Sequence, residues 1–324
     1  MRHEGKLARV EPEGVVPRRR AQGGDDQTCT SYYGLPVINQ PVWSARDVAG
    51  YLFLGGLAGA SALVGAGAHV TERPRLARSA KLGAAGAAAL SMLALVHDLG
   101  RPARALHMLR VVKPTSPMNV GSWLLAAFGP ATAVAAASDV TGVSPVLGDA
   151  ATVCAAVLGP AVAAYTAALI SNTAVPSWHE GRREMPFVFV ASGASAAAGV
   201  GLVLAPAGEL APVRRLAAVA GPTEIVLTKL MARKMGLAGE PYRTGRAGAT
   251  LRIAEVCTLL GAGGALFART RRAVALGSGV ALLAGSALER FAIFYAGLHS
   301  AQDPRYSVLP QRERLSRPPD GTSR

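Results

Sequence analysis

Long stretches without a single charged residue constrain this chain more than any other feature of its sequence. Seven such stretches are apolar throughout, and they cover residues 48–68, 82–96, 121–138, 150–178, 187–208, 256–268 and 273–288. Hydrophobic residues make up 50% of the chain and charged residues only 17%. Because about 20 apolar residues suffice for a helix to cross the hydrocarbon core of a bilayer, the pattern predicts a membrane protein rather than a soluble domain.

With their flanks, these stretches predict eight membrane-spanning helices, the sixth only if Glu224 and Lys229 are tolerated inside it. The predicted spans are residues 47–69, 77–98, 118–138, 147–171, 186–206, 211–233, 248–268 and 273–297. The predicted fold class is therefore an all-α integral membrane protein with eight transmembrane helices, which occupies residues 46–300. Residues 1–45 and 301–324 are polar and are interpreted as tails, and the first has no apolar signal-peptide core.

The net charge of +14 does not indicate a nucleic-acid partner. Basic residues gather at the ends of the apolar stretches, where they contact lipid headgroups and fix topology. No aromatic-rich basic surface accompanies them, as a nucleic-acid-binding protein would require. The lipid bilayer is the expected partner of these charges.

Cysteine and histidine placement argues against a redox cofactor inside this chain. Cys29, Cys154 and Cys257 lie far apart, so neither an iron–sulfur cluster nor a disulfide framework is expected. The histidines all fall in tails, at span ends or in loops: His3, His69, His97, His107, His179 and His299. No two of them are placed to bracket a haem within the bilayer, and no metal site is expected.

The predicted spans divide the connections between two sides of the membrane. Side A holds the short turns after the first, third, fifth and seventh spans. Side B holds both tails and three longer connections, residues 99–117, 172–185 and 234–247. Because connections longer than a minimal turn usually carry function, we expect the functional site on side B.

Two side-B connections carry distinctive motifs. The first reads DLGRPARALHMLRVVKPTSPMNVGSW over residues 98–123, and a short interfacial helix is predicted to start at Pro102. The second begins with NTAVPSWHEGRREMPFVF over residues 172–189, where Trp178 is predicted to anchor at the headgroup level. Together with YLFLGGLAGAS in the first span, they resemble the NrfD/PsrC family of polysulfide reductase membrane subunits over about residues 35–300.

The resemblance implies more than the pattern alone predicts. It implies two four-helix bundles without haem and a site for quinol or quinone, such as menaquinone, at one membrane face. It also implies a ferredoxin-like iron–sulfur partner subunit and often a molybdopterin catalytic subunit. On this interpretation the chain is one subunit of a quinone-linked oxidoreductase of the polysulfide reductase or formate dehydrogenase type, and electrons pass to or from the partner.

Quinol oxidation releases two protons and two electrons, so the site needs proton acceptors and hydrogen-bond donors. Asp98 at the end of the second span can accept a proton or hold a histidine, and Arg101 can keep that carboxylate ionised. His97 and His107 can exchange a proton near neutral pH. These four residues are the predicted catalytic groups.

The second side-B motif supplies the remaining candidate quinone contacts. With Asp98, the predicted quinone-binding residues are Asn172, His179 and Glu180. Glu180 beside arginines is equally typical of a surface ion pair.

Three carboxylates inside the later spans form a separate group. Glu224, Glu255 and Glu289 are predicted at similar depth, and a buried acid in lipid is costly unless it is paired. A proton path and a packing lock, with Lys229 and Arg290 as partners, explain them equally well.

Two rival functions remain beside the quinone-linked subunit. A passive membrane anchor would lack the quinone site. A secondary transporter would have charged residues and unwound helices near mid-membrane, whereas the motifs here gather at one face. Basic residues crowd the turn after the first span, which predicts that side A is cytoplasmic and that both tails and the quinol face lie outside the cell membrane.

Overall fold

The structure, a computed structural model, describes residues 37–39, 41, 43–98, 107–269 and 271–316. Within these residues the chain is helical and contains no strand. Ten α-helices are described: α1 Ala45–Val70, α2 Pro74–Asp98, α3 Pro117–Thr141, α4 Pro145–Ser171, α5 Pro176–His179, α6 Met185–Leu204, α7 Ala211–Lys234, α8 Gly245–Phe267, α9 Arg272–Gln302 and α10 Arg305–Ser316. Short 3-10 helices cover Ala207–Glu209 and Gly236–Tyr242.

A long helix lies at each of the eight predicted spans. The largest difference is at the end of the last one, predicted at residue 297 and observed at Gln302. Seven of these helices are long and apolar enough to cross a membrane. The exception is α7, which carries Arg214, Arg215, Glu224 and Lys229. The chain is therefore an all-helical, multi-pass membrane protein.

Proline and glycine set the ends of several helices. Pro74, Pro117 and Pro145 each occupy the first helical residue, where a missing N–H group costs nothing because it would have no partner. Gly142 ends α3 with φ of 72°, the left-handed conformation that glycine adopts without strain. The turns before Pro74 and Pro145 are short, whereas a long connection precedes Pro117.

The long helices pack as two neighbouring groups. Helices α1 to α4, the first half, contact one another, and helices α6 to α9, the second half, do the same. Helix α1 also contacts α6 and α9 and so lies between the groups. Glycine permits this approach, since a Cβ on Gly193 would lie 2.7 Å from the carbonyl oxygen of Gly56.

Arginines join helix ends on side A. Arg272 Nη1 donates to the carbonyl of Ala205 at 2.7 Å, and Arg214 Nε donates to the carbonyl of Ala265 at 2.8 Å. Helix ends leave such carbonyls without partners within the helix. The two guanidinium groups therefore connect α9 with the end of α6 and α7 with the end of α8.

Trp178 does not anchor at the headgroup level, so that prediction is wrong. Its side chain is completely buried, and its Nε1 donates to the carbonyl of Ile293 at 2.8 Å. Its ring stacks on Trp43 with centroids 5.9 Å apart. A Cβ on Gly297 would overlap the indole, so glycine at that position leaves room for it. Buried, with its N–H satisfied, this tryptophan belongs to the core.

Two side-B connections are held together by buried hydrogen bonds. Ser177 Oγ donates to the carbonyl of Ala238 at 2.7 Å, and Tyr242 Oη donates to the carbonyl of Ser177 at 3.0 Å. Burial raises the pKa of the Tyr242 phenol, and the nearby Glu289 carboxylate raises it further. The phenol therefore keeps its proton and remains a donor.

Several predicted features lie outside the described residues: Arg101, the helix predicted from Pro102, Cys29 and most of the N-terminal tail. The segment interpreted as a C-terminal tail contains α10. Its first residue, Arg305, pairs with Asp303 at 2.6 Å and with Glu240 at 3.2 Å, and Tyr306 is buried. This helix is thereby tied to the side-B connections.

Candidate functional site

A cavity opens at the side-B end of the first half. Its volume is about 270 Å³, and all four helices of that half contribute to it. Most of the lining is apolar. The polar lining residues are Asp47, Tyr51, Asp98, Ser116, Ser122, Tyr165, Asn172 and Thr173. An apolar slot with a few polar groups is typical of a small-molecule site.

The hydroxyl of Tyr51 is the most informative group in this cavity. Tyr51 is only 3% exposed, and its Oη has no hydrogen-bond partner among the described residues. Tyr165, which also lines the cavity, lies beside it, but no hydrogen bond of standard geometry joins the two phenols. A buried polar group without a partner is costly, so a ligand that accepts or donates a hydrogen bond here would remove that cost.

Gly121 of the TSPMNVGSW motif makes room for Tyr165. A Cβ at Gly121 would overlap the ring and hydroxyl of Tyr165, so any larger residue would push this phenol from its place. The position of the Tyr165 side chain in the cavity therefore explains why residue 121 of the motif is a glycine.

Asn119 of the same motif shapes the loop before α3. Its Nδ2 donates to the carbonyls of Met108 and Val111, each at 2.8 Å, and its Oδ1 accepts from the backbone N–H of Lys113 at 2.6 Å. Trp123 Nε1 also donates to the Val111 carbonyl, at 3.3 Å. These bonds fold the loop back on α3 and bring Met108 to the cavity wall.

Acidic and imidazole groups lie at the mouth of the cavity. Asp47 Oδ2 is 3.3 Å from His97 Nδ1, and the Asp47 side chain is 19% exposed against 78% for His97. Asp98 lines the cavity and is close enough to both groups to interact with them electrostatically. An imidazole that faces the side-B surface thus lies beside two carboxyl groups at the mouth of the cavity.

The structure brings together only some of the residues predicted for the site. Asp98 and Asn172 line the cavity, and His97 lies beside it. His107, His179 and Glu180 occupy exposed positions outside the lining. Arg101 is outside the described residues.

Sequence reasoning missed most of the polar lining of the cavity, including Asp47, Tyr51 and Tyr165. Asp47 resembled a simple counter-charge to Arg46 at the start of a span, although its position one turn before Tyr51 on the same helix face was a usable signal. Tyr165 gave no signal, since its closeness to Tyr51 depends on how α4 packs against α1.

The second half buries a different polar network. Glu289 Oε2 pairs with Arg290 Nη1 at 2.6 Å, and its Oε1 accepts from Thr228 Oγ1 at 2.7 Å. Glu224 Oε1 accepts from Ser192 Oγ at 3.0 Å. Glu224, Glu289 and Arg290 are at most 3% exposed. Each of these charged side chains has at least one partner, but Glu224 Oε2 and Arg290 Nε are buried without one among the described residues.

Glu255 does not join this network directly. It pairs with Lys229 at 3.1 Å, and its side chain is 21% exposed. Thr228 links the two regions, because it donates to Glu289 and also lines the groove that Glu255 lines. Of the three carboxylates, Glu224 and Glu289 are therefore buried, whereas Glu255 lies at the edge of the network.

Within residues 43–98, 107–269 and 271–316, no group of three or more His, Cys, Asp or Glu side chains is placed to hold a metal ion. The polar groups of the cavity are phenols, carboxyls, amides and hydroxyls beside one imidazole, a set that suits an organic ligand with oxygen functions.

Comparison with known proteins adds one finding. The model of the NrfD family described as polysulfide reductase matches residues 29–305, which include all eight long helices. A comparison with curated proteins finds no match.

Proposed function

The chain belongs to the NrfD family of polysulfide reductase, and we propose that it is the membrane subunit of a redox complex that binds quinol or quinone in the side-B cavity. The single observation that carries this proposal is the buried Tyr51 hydroxyl, unpartnered within the described residues, in a mostly apolar cavity. A quinone carbonyl accepts the hydrogen bond that this phenol can donate. The ring and tail of the quinone suit the apolar lining.

Proton transfer in this proposal uses the groups at the cavity mouth. Asp98 accepts the two protons of the bound quinol one after the other and passes each to His97, while the two electrons go to the partner subunit. Asp47 holds His97 through Nδ1, which leaves Nε2 of that imidazole to take up a proton and release it to side B. Tyr51 and Asn172 orient the substrate by hydrogen bonds.

In this proposal the electrons of the quinol leave the chain for a partner subunit. The acceptor is a ferredoxin-like iron–sulfur subunit docked on side B, next to the cavity mouth, and a molybdopterin subunit completes the complex. The chain is therefore a non-autonomous part of an oxidoreductase.

We further propose that α7 is an eighth membrane span and that the two halves are two four-helix bundles. Helix α7 connects a side-A turn with a side-B connection and packs between α6 and α8. Its Glu224 is turned into the second half rather than toward lipid. Polar residues in a membrane helix are tolerated when they face such an interior.

The buried network of the second half could conduct protons or lock the helices. Arg290 balances Glu289, and no cation pairs with Glu224 among the described residues. Because an unpaired buried charge is costly, charge balance favours a proton on Glu224. Glu224→Gln in proteoliposomes distinguishes the two roles: a proton path loses quinol-linked proton movement, whereas a lock shows a lowered unfolding temperature with proton movement intact.

For orientation, we propose that side A is cytoplasmic in the cell membrane and that side B faces outside. In a cysteine-free background, Thr115→Cys should react with a membrane-impermeant thiol reagent in intact cells, whereas Arg75→Cys should not. Both residues lie exposed, on opposite sides. The reverse labelling would invert the topology.

The helices support the quinone-linked subunit over a transporter. A secondary transporter usually has unwound helices near mid-membrane, whereas each of the seven candidate spans is one continuous helix. A passive anchor would not need the cavity.

The deciding experiment is oxidation of a short-chain naphthoquinol by the purified complex, with Tyr51→Phe as variant. Tyr295→Phe is the control, since its hydroxyl accepts from Arg246 outside the cavity. A passive anchor predicts no quinol oxidation by the wild-type complex.

A further inference from the structure

A second, larger depression on side B lies in the second half. This groove lies between the C-terminal end of α7, the 3-10 helix Gly236–Tyr242 and the N-terminal part of α8, and its volume is about 480 Å³. Four cationic side chains line it: Lys229, Arg233, Arg243 and Arg252. The proposed quinone chemistry uses none of them.

The groove has an excess of positive charge. Glu255 is the acidic residue of the lining, and it pairs with Lys229 at 3.1 Å. No carboxylate of the described chain lies within ion-pair distance of the three arginines. Four cations and one carboxylate give the groove a net charge of +3. The cationic side chains therefore repel one another, and a bound anion would relieve this repulsion.

Two of the arginines are already held in position. Arg243 Nη2 donates to the carbonyl of Ala232 at 3.2 Å, and Arg252 Nη1 donates to the carbonyl of Arg243 at 3.3 Å. Each guanidinium has five donors, so one bond apiece leaves several for an anion. Gly248 allows this arrangement, because a Cβ there would lie 2.5 Å from the carbonyl carbon of Arg243.

Apolar surface continues from the groove toward the membrane interior. Val226 lies three residues before Lys229, and Val256 and Leu259 lie four and seven residues after Arg252, so each shares a helix face with a groove cation. The rest of the chain leaves these three side chains 63%, 54% and 55% exposed. Since α7 approaches side B and α8 leaves it, all three lie deeper than the cations.

We propose that this groove binds the phosphate of an anionic phospholipid, whose acyl chains lie along the apolar faces of α7 and α8. Arginines bind phosphate oxygens through several charge-assisted hydrogen bonds. Basic pockets between membrane helices suit acidic headgroups. Free phosphate shares the headgroup chemistry, but the apolar faces below the groove favour the lipid.

The test compares lipids bound to the full-length purified chain by native mass spectrometry. The probes are phosphatidylglycerol, phosphatidylcholine with identical acyl chains, and inorganic phosphate as competitor. We expect the chain to retain phosphatidylglycerol about tenfold better than phosphatidylcholine. The double variant Arg243→Gln/Arg252→Gln should lose this preference. The control Arg110→Gln/Arg183→Gln removes two exposed side-B charges outside the groove and should keep it.

Four results would overturn the proposal. Equal retention of the two lipids, or an unchanged preference in the double variant, would show that the groove does not select a lipid. Displacement of phosphatidylglycerol by millimolar phosphate would assign the groove to a free anion. If the double variant keeps its lipid preference but its complex, purified in parallel, loses a partner subunit, the groove is a protein interface. If the double variant does not fold, Arg252→Gln alone removes one exposed hydrogen bond and should show about a threefold loss.

Discussion

The two halves of this chain differ in how their central polar groups are held. In the first half, the Tyr51 hydroxyl has no partner in the described chain and borders a cavity. In the second half, both carboxylate oxygens of Glu289 have partners, Arg290 and Thr228, although Glu224 Oε2 and Arg290 Nε have none among the described residues. A hydroxyl without a partner beside a cavity, such as that of Tyr51, can bond to a ligand. A carboxylate whose oxygens already have partners, such as that of Glu289, stabilises the packing of the helices. Substitutions should therefore affect activity in the first half and stability in the second.

The largest effect is expected for Arg290→Met. It would leave the Glu289 carboxylate buried without its cation and should lower the free energy of unfolding by about 3–5 kcal/mol. Thermal unfolding of the purified protein measures this loss. The double variant Glu289→Gln/Arg290→Met removes both charges and should recover most of it. An unfolding temperature for Arg290→Met equal to the wild-type value would contradict the assigned role of the pair.

The next effect concerns activity alone. Asp98→Asn keeps the shape of the side chain but removes its charge, so quinol oxidation by the assembled complex should slow about a hundredfold. The unfolding temperature should not change. Asp149→Asn, at an exposed side-A position, is the matched control. Normal quinol turnover in an assembled Asp98→Asn complex would remove Asp98 from the mechanism.

Tyr51→Phe should raise the KM for quinol about tenfold, through the loss of one hydrogen bond to the ligand. Because the hydroxyl has no hydrogen-bond partner among the described residues, stability without ligand should be unchanged or slightly higher. Steady-state kinetics and thermal unfolding on the same preparation check both effects. A clear loss of stability with unchanged KM would mean that the hydroxyl serves the protein rather than the substrate.

The smallest effect is expected for Ser192→Ala, which removes the hydroxyl that bonds to Glu224 and to Ser286. We expect a loss of about 1 kcal/mol in stability and no change in the KM for quinol. Thr223→Ala should cost less, since that exposed hydroxyl bonds within its own helix. A change in the KM for quinol in Ser192→Ala would show that the two halves are coupled. It would contradict the assignment of activity to the first half and stability to the second.

Most of the helical architecture was predictable, because charge-free stretches and flanking prolines act locally. Each long helix lies where its predicted span lies, and the sixth span was recognised as the one in which charged residues must be tolerated. The family resemblance, carried by the side-B motifs, is confirmed by the family model.

The cavity was less predictable, because it depends on contacts between distant residues. Asp98 was singled out as a carboxylate at the end of a span, and it does line the cavity. Tyr51 and Tyr165 are 114 residues apart (165 − 51) and look like ordinary span residues in the sequence. Trp178 was misplaced for a related reason: its burial depends on Gly297 and Trp43, which no local pattern connects to it.

The stacked pair of Trp43 and Trp178 makes the cavity a property of both halves. Trp43 forms part of the cavity wall, while Trp178 is bonded to α9 of the second half. A ligand that binds only when the two tryptophans are stacked would therefore also stabilise the contact between the halves. By mass action, a ligand at about a hundred times its Kd would favour docking by about 2.7 kcal/mol. Substrate supply would then determine how firmly the two halves of this subunit hold together.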